Sequence, residues 1–312
     1  MKKQKAIAIL SLIFLIIFIS CATNSKTIYP GPEILRSSNT LAYLFPNDNS
    51  HKLIIFLGET GWKPMLRSGK DNSLSITGMA AHILMSLQNT HAILMPEKLK
   101  RQPGSDYSKD MDDRARYTAE NLLACYTESI NEYLKKHETV SIVLIGASEG
   151  AMLLPLVYEK MNNKEKVDAM VSINYGGLSL YESYKILSTT RSGYPQEWVD
   201  FFTDMLTVFN PENGEFPDSF EEDYYGMTYR YYNSIIHIRP FDYYKNINIP
   251  ILFVQGGNNY RIPVESTVYI QENLPEKPFY YKYFLWAETP ETDRASAAFI
   301  KEIAEWINNI DE

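Results

Sequence analysis

The stretch SIVLIGASEGAMLL, Ser141–Leu154, decides how the rest of the chain is read. Ile142–Ile145 is an apolar run, Gly146-Ala147-Ser148-Glu149-Gly150 follows, and helix-forming residues complete it. A strand that turns sharply into a helix at a serine holds the hydroxyl above the sheet edge. Gly146 and Gly150 leave the backbone room for that turn. The five-residue pattern G-x-S-x-G is weak alone, because glycine and serine are common. Its place between an apolar strand and a helix makes it specific. The competing interpretation is a structural turn whose serine only caps the helix.

On both sides of this stretch, strand-like and helix-like segments alternate. Leu53–Leu57 (LIIFL), His91–Met95 (HAILM), Val167–Ile173, Ile249–Gly257 (IPILFVQGG) and Phe279–Trp286 (FYYKYFLW) read as strands. Short, fully apolar runs are what a parallel strand buried on both faces requires. Helices are expected over Leu74–Leu87 with Ser73 as N-cap, and over Ser108–Lys136 with Asp110, Asp112 and Asp113 near its start. Further helices are expected over Ala151–Met161, after Pro263 and over Glu291–Ile310. This order predicts an α/β fold, a doubly wound and mostly parallel sheet. The alternation breaks at about residues 178–245, a tract rich in tyrosine, phenylalanine and acids. It reads as an α-rich aromatic cap over the carboxyl edge of the sheet, where such folds place their sites. Most of its rings are expected to form a core of their own, with a few facing a cleft.

From residue 41 onward the chain resembles the α/β-hydrolase superfamily. The resemblance rests on the serine turn, on Gly58 after the LIIFL strand, and on IPILFVQGGNNYRIPV, Ile249–Val264. It implies Ser148 as nucleophile, with the backbone N–H groups of Glu59 and Glu149 facing the oxyanion; their side chains need not take part. The family's pattern is altered elsewhere. Leu57 stands where a histidine is common before Gly58, and Asn259 stands where the family has its acid. The loop after the last strand, Ala287–Asp293, contains no histidine, and none follows His237. Glu288 occupies the missing histidine's loop and is one candidate base, against the blander reading of an exposed loop acid. Asp293 is weaker, a residue of the last helix's first turn. His237, in the cap, is the other candidate base, against a structural role. His51, His91 and His137 fall at the opposite edge of the sheet, and His82 lies within a helix pattern. The implied function is hydrolysis of an ester or amide, with a small-molecule or acyl substrate and an incomplete or altered triad. The alternative is a non-catalytic surface binding protein on a hydrolase scaffold.

The 312 residues are 45% hydrophobic and 22% charged, enough for a sizeable core. A net charge of −8 gives no basis for nucleic acid as a partner. The one internal basic run, Lys98–Arg101, reads as a solvated loop. No histidine pair with metal-ligand spacing and no phosphate-cradling glycine loop occurs, so neither metal nor cofactor is expected. The start of the chain reads as a targeting segment: Lys2, Lys3 and Lys5, the apolar run Ala6–Ile19, then Ser20-Cys21. That run is shorter than the roughly 20 residues needed to span a bilayer. It resembles a bacterial lipoprotein signal, with Cys21 lipidated; an uncleaved anchor or ordinary signal cleavage are the rivals. The expected organisation is a signal peptide over residues 1–20, a polar tether over 21–40 and the α/β domain over 41–312. Such a protein would sit in a bacterial cell envelope, held to the membrane by its lipid. Cys125, the other cysteine, is expected to be a small buried hydrophobe.

Overall fold

The structure, a computed structural model, describes residues 32–310 other than 38–39, 49, 63, 69–73, 77, 101–106, 140, 191–194, 258, 260 and 285–292. The expected lipidation site Cys21 and the candidate base Glu288 therefore lie outside the described residues. Eight strands form one sheet: β1 (Glu33–Arg36), β2 (Leu41–Phe45), β3 (Lys52–Leu57), β4 (Ala92–Pro96), β5 (Ser141–Ala147), β6 (Val167–Ile173), β7 (Ile251–Gly256) and β8 (Phe279–Phe284). Their spatial order is β1-β2-β4-β3-β5-β6-β7-β8. The first two pairings, β1–β2 and β2–β4, are antiparallel. All the others are parallel, with Leu57 opposite Gly146 and Ala147 opposite Ile173 at the carboxyl edge.

The apolar runs become the buried strands that the sequence predicts. Ile54, Ile55, Leu57, Ile142, Leu144 and Ile145 are all inaccessible to solvent. The helices that cover the sheet are α1 (Gly78–Leu87), α2 (Met111–Arg116), α3 (Ala119–Lys136) and α4 (Glu149–Lys160). The cap contributes α5 (Leu180–Thr190), α6 (Gln196–Val208), α7 (Tyr229–Ile235) and α8 (Phe241–Tyr244), and α9 (Glu265–Asn273) and α10 (Asp293–Ile310) follow. No described helix is long and apolar enough to cross a membrane.

Three local readings are corrected. Leu74–Ile76 is not helical but pairs as a short strand with Leu66–Ser68, and the helix begins at Gly78. The long helix expected over Ser108–Lys136 is broken in two. Asp110 caps α2, accepting from the N–H groups of Asp112 and Asp113, and Thr118 caps α3. Between them Tyr117 leaves helical geometry and turns into the core. Finally, the sheet begins at Glu33, ahead of the expected start at Leu41. β1 is an edge strand whose side chains are mostly exposed, so it carries no apolar signal. Cys125 is buried, and burial pushes its thiol up to about 11.

The cap has its own core, in which Phe202, Met205 and Phe209 are fully buried. It is fastened to the sheet domain at fixed points. Arg114 on α2 donates through Nε to Phe220 O and through Nη2 to Glu221 O, both at 3.0 Å, and pairs with Asp223 at 2.9 Å. Trp62 Nε1 donates to Gly226 O at 2.7 Å, and Ser234 Oγ accepts from Ala119 N at 2.9 Å. Charge-assisted bonds from an arginine that is almost wholly buried hold a surface segment firmly.

Candidate active site

Ser148 sits between β5 and α4 at φ 53°, ψ −113°, a conformation that side chains rarely adopt and that costs about 1–3 kcal/mol. The neighbours hold it there. Ser148 N donates to Ile173 O on β6, and Gly150 N donates to Gly58 O after β3, each at 3.0 Å. Both glycines are required by close backbone approach. A Cβ on Gly146 would lie 2.5 Å from Gly150 O, and one on Gly150 would lie 2.3 Å from Leu57 O. The serine does not cap the helix, since its side chain makes no capping hydrogen bond. Its Oγ instead lies 3.1 Å from Thr60 Oγ1, on the loop after β3. Glu149 opens α4, so its backbone N–H belongs to the first turn, where donors lack intrahelical acceptors and an oxyanion is favoured. This arrangement is a strained strand-to-helix elbow with the serine at its apex.

The elbow faces a cavity of about 610 Å³. Its floor is Thr60, Ser148, Glu149 and Met152, from the sheet domain. Its walls are largely aromatic and come from the cap, with Tyr184, Trp198, Phe201, Tyr225 and Tyr232 among them. Arg261 and Ile262, from the loop after β7, close one side. A mainly apolar chamber with a few polar groups converging at one point is suited to a small organic ligand.

Beneath the elbow lies a buried polar cluster that the sequence did not suggest. The Glu149 side chain, 2% exposed, accepts from Tyr231 Oη at 2.7 Å. Tyr117 Oη is 3.1 Å from Glu149 Oε1 and 3.0 Å from Gly61 O. Burial raises the Glu149 pKa above the ordinary carboxylate value; the charge of Lys98 and the bonds from Tyr231 and Tyr117 pull it partly back. Tyr117 shares its one proton between Glu149 Oε1 and Gly61 O. Lys98 is part of this cluster, which corrects the solvated-loop reading of Lys98–Arg101. It is 3% exposed and its Nζ donates to Gly61 O at 2.8 Å. The signal available in the sequence was an acid directly after the serine, in a position that the fold buries.

Asn259 and His237 have hydrogen-bond partners other than the serine. Asn259, 5% exposed, accepts through Oδ1 from the N–H groups of Arg261 and Ile262, at 2.9 and 3.1 Å. Its side-chain oxygen caps its own loop. Glu59 follows Gly58 at the sheet edge and is partly buried. His237 Nε2 lies 3.0 Å from Phe209 O, and its ring stacks on Phe216 and tilts against Tyr181. Burial lowers its pKa, so it is neutral at neutral pH. It does not line the cavity. Among the other histidines, His91 Nδ1 is 2.8 Å from Thr90 Oγ1 and His137 stacks on Tyr133. No cluster of metal-ligating side chains occurs among the described residues.

No protein-family model matches the chain, and no curated protein matches it by sequence. Solved structures do match. Est1E from Butyrivibrio proteoclasticus aligns over 90% of this chain and 99% of its own, with a TM-score of 0.58 at 17% identity. An acylaminoacyl peptidase from Pyrococcus horikoshii aligns over 90% of this chain, also with a TM-score of 0.58, at 16% identity; the match spans only 41% of that longer protein. A lipase-esterase related protein from Clostridium acetobutylicum aligns over 87% of this chain and 99% of its own, with a TM-score of 0.53 at 16% identity. At these identities the likeness establishes architecture. Together with the strand order, it shows that the chain has the α/β-hydrolase fold.

Proposed function

We propose that a protein of this fold with this elbow is a serine hydrolase of esters or amides, acting on a substrate whose acyl part is apolar or aromatic. The observation that carries the reading is Ser148 held at φ 53° above a 610 Å³ aromatic cavity. A serine used only as a turn residue has no need of a strained backbone, and glycine would serve better there. Structural neighbours described as an acylaminoacyl peptidase and a lipase-esterase related protein support a hydrolytic activity of the same kind.

In this reading Ser148 Oγ attacks the carbonyl, and the backbone N–H groups of Glu149 and Glu59 receive the oxyanion. Each such donor is worth roughly 3 kcal/mol in the transition state. Thr60 Oγ1 positions the nucleophile. Asn259, whose Oδ1 is engaged by its own loop, leaves the acid's role unfilled, and His237 belongs to the cap core. We assign the base to the loop after β8, with Glu288 as the group. Cys21 is proposed as the lipidated residue that holds the domain to a membrane of a bacterial envelope.

The second reading, a surface protein that binds a ligand without turning it over, is favoured by two observations. The Ser148 hydroxyl pairs with Thr60, and among the described residues no histidine lines the cavity. Labelling with a fluorophosphonate probe separates the two. The expected outcome for the full chain in detergent is labelling that Ser148→Ala abolishes and Glu288→Gln slows by about a hundredfold or more, the lower end of general-base effects. A folded protein that stays unlabelled from neutral to alkaline pH would establish the binding reading instead.

A further inference from the structure

The loop after β7 carries a cation that the hydrolytic reading does not use. Arg261 lines the cavity, yet among the described residues it forms no ion pair. Its guanidinium carbon lies 5.8 Å from the centre of the Trp198 ring, which is itself a cavity wall. Arg261 is exposed to solvent, and its charge also reaches the hydroxyls of Tyr184 and Tyr232, lowering pKa values that burial otherwise raises. Both tyrosines line the same chamber.

The backbone beneath this arginine is fixed. Asn259 Oδ1 accepts from Arg261 N at 2.9 Å and from Ile262 N at 3.1 Å. Ile262 O in turn accepts from Gln255 Nε2 at 3.3 Å, and Gln255 is fully buried at the end of β7. The side chain in the family's acid position therefore fixes the backbone that presents a guanidinium beside an aromatic wall. An arginine held over an aromatic ring keeps N–H groups available for a planar oxyanion, and the ring limits the positions that the guanidinium can take. Glu197, on the first turn of α6, also lines the cavity, and among the described residues it forms no ion pair with Arg261.

We propose that Arg261 is a specificity-determining residue which binds an anionic group, a carboxylate or phosphate, on a ligand whose apolar or aromatic body fills the cavity. The proposal deepens the hydrolytic reading by naming the substrate class: an ester or amide with a negative charge at the end remote from its carbonyl. The binding part holds whether or not Ser148 is active, so it is tested without turnover.

Ser148→Ala protein, full chain in detergent, is titrated with 4-phenylbutyrate, with phenyl phosphate and with neutral 4-phenylbutyramide, and Trp fluorescence and calorimetry report binding. The expected result is at least about tenfold tighter binding of one or both anions than of the amide, weakening as salt rises. Arg261→Gln is expected to remove that preference and Arg261→Lys to restore part of it, while Glu197→Gln leaves it intact. The relative response to the two anions tells carboxylate from phosphate. Equal binding of anion and amide, or a preference that survives Arg261→Gln, overturns the proposal. Failure of fluorophosphonate labelling in the wild-type chain overturns the hydrolytic reading alone.

Discussion

The turn after β5 and the loop after β7 both end at the carboxyl edge of the sheet, and they differ in what fixes them. The elbow is set by backbone: Gly150 N bonded to Gly58 O, and glycines at which no Cβ fits. The loop is set by a side chain, with Asn259 Oδ1 accepting from two N–H groups two and three residues ahead. A turn determined by backbone proximity presents a hydroxyl whatever lies around it. A turn held by the very residue in the acid position has that oxygen engaged already. The same fold edge thus carries a strained serine and, in the loop after β7, an asparagine whose side-chain oxygen is already engaged.

Breaking the elbow has the largest expected effect. Gly150→Ala places a Cβ 2.3 Å from Leu57 O, a clash with backbone that rotamer change cannot relieve. A loss of about 3 kcal/mol or more is expected by chemical denaturation, near the upper end for overpacked sites. Gly214→Ala is the control. Gly214 has φ 80° but open space around it, so the substitution meets conformational strain only, about 1 kcal/mol.

Next in size is the cluster under the elbow. Glu149→Ala leaves the buried hydroxyl of Tyr231 without its acceptor and opens a void, with an expected cost of about 2–3 kcal/mol. Glu149→Gln keeps the shape and removes the titration. Because burial raises the native pKa of Glu149, the folded state holds a proton that the unfolded state releases first. The stability contributed by this group is fully present below the ordinary carboxylate pKa and is lost as pH rises through the raised native value. Unfolding measured across that range should show wild type losing stability relative to Glu149→Gln as pH rises. Parallel curves would mean that Glu149 is ionised as readily in the native protein as in the unfolded chain.

How far the sequence could be read follows the same division. β3 to β7 were legible because a strand buried on both faces is largely apolar, as in Leu53–Leu57 and Ile142–Ile145. The elbow was legible because its glycines answer a local steric demand. β1 was not, since an edge strand with exposed side chains needs no pattern. The break at Tyr117–Thr118 was hidden in a run of helix formers on both sides. Lys98 was misjudged, and the cluster around the Glu149 side chain was not foreseen, for another reason. Their burial is set by partners from distant segments (Gly61, Tyr117 and Tyr231), and residue type alone argues for exposure. Function stayed open where the structure turned on such long-range polar contacts.

A smaller effect, of opposite sign, is expected at Ser148 itself. Ser148→Gly abolishes any acyl-enzyme chemistry, yet glycine adopts φ 53° without strain. Relief of about 1–3 kcal/mol is offset by the greater freedom of glycine in the unfolded chain, about 0.5–1 kcal/mol. The net expectation is a variant about 1 kcal/mol more stable, read from the denaturation midpoint. A destabilised Ser148→Gly would show that the serine's bond to Thr60 outweighs its strain.

The loop after β7 gives the smallest effects and the sharpest contrast. Asn259→Ala removes the acceptor for Arg261 N and Ile262 N, with an expected cost of about 1 kcal/mol. Asn259→Asp keeps that acceptor and installs an acid at the position where the α/β-hydrolase pattern has one. Stability should change by less than about 0.5 kcal/mol, because a carboxylate accepts the same two bonds. Fluorophosphonate labelling should not accelerate either. An acid at this position acts only by orienting and stabilising an imidazole, and none lines the cavity. If Asn259→Asp alone raised the labelling rate tenfold, an imidazole must reach the site, and His237 would have to leave Phe209 and Phe216 to provide it. The double variant Asn259→Asp, His237→Asn then decides the point: a lost gain assigns the base to the cap, and a retained gain requires another source for the effect.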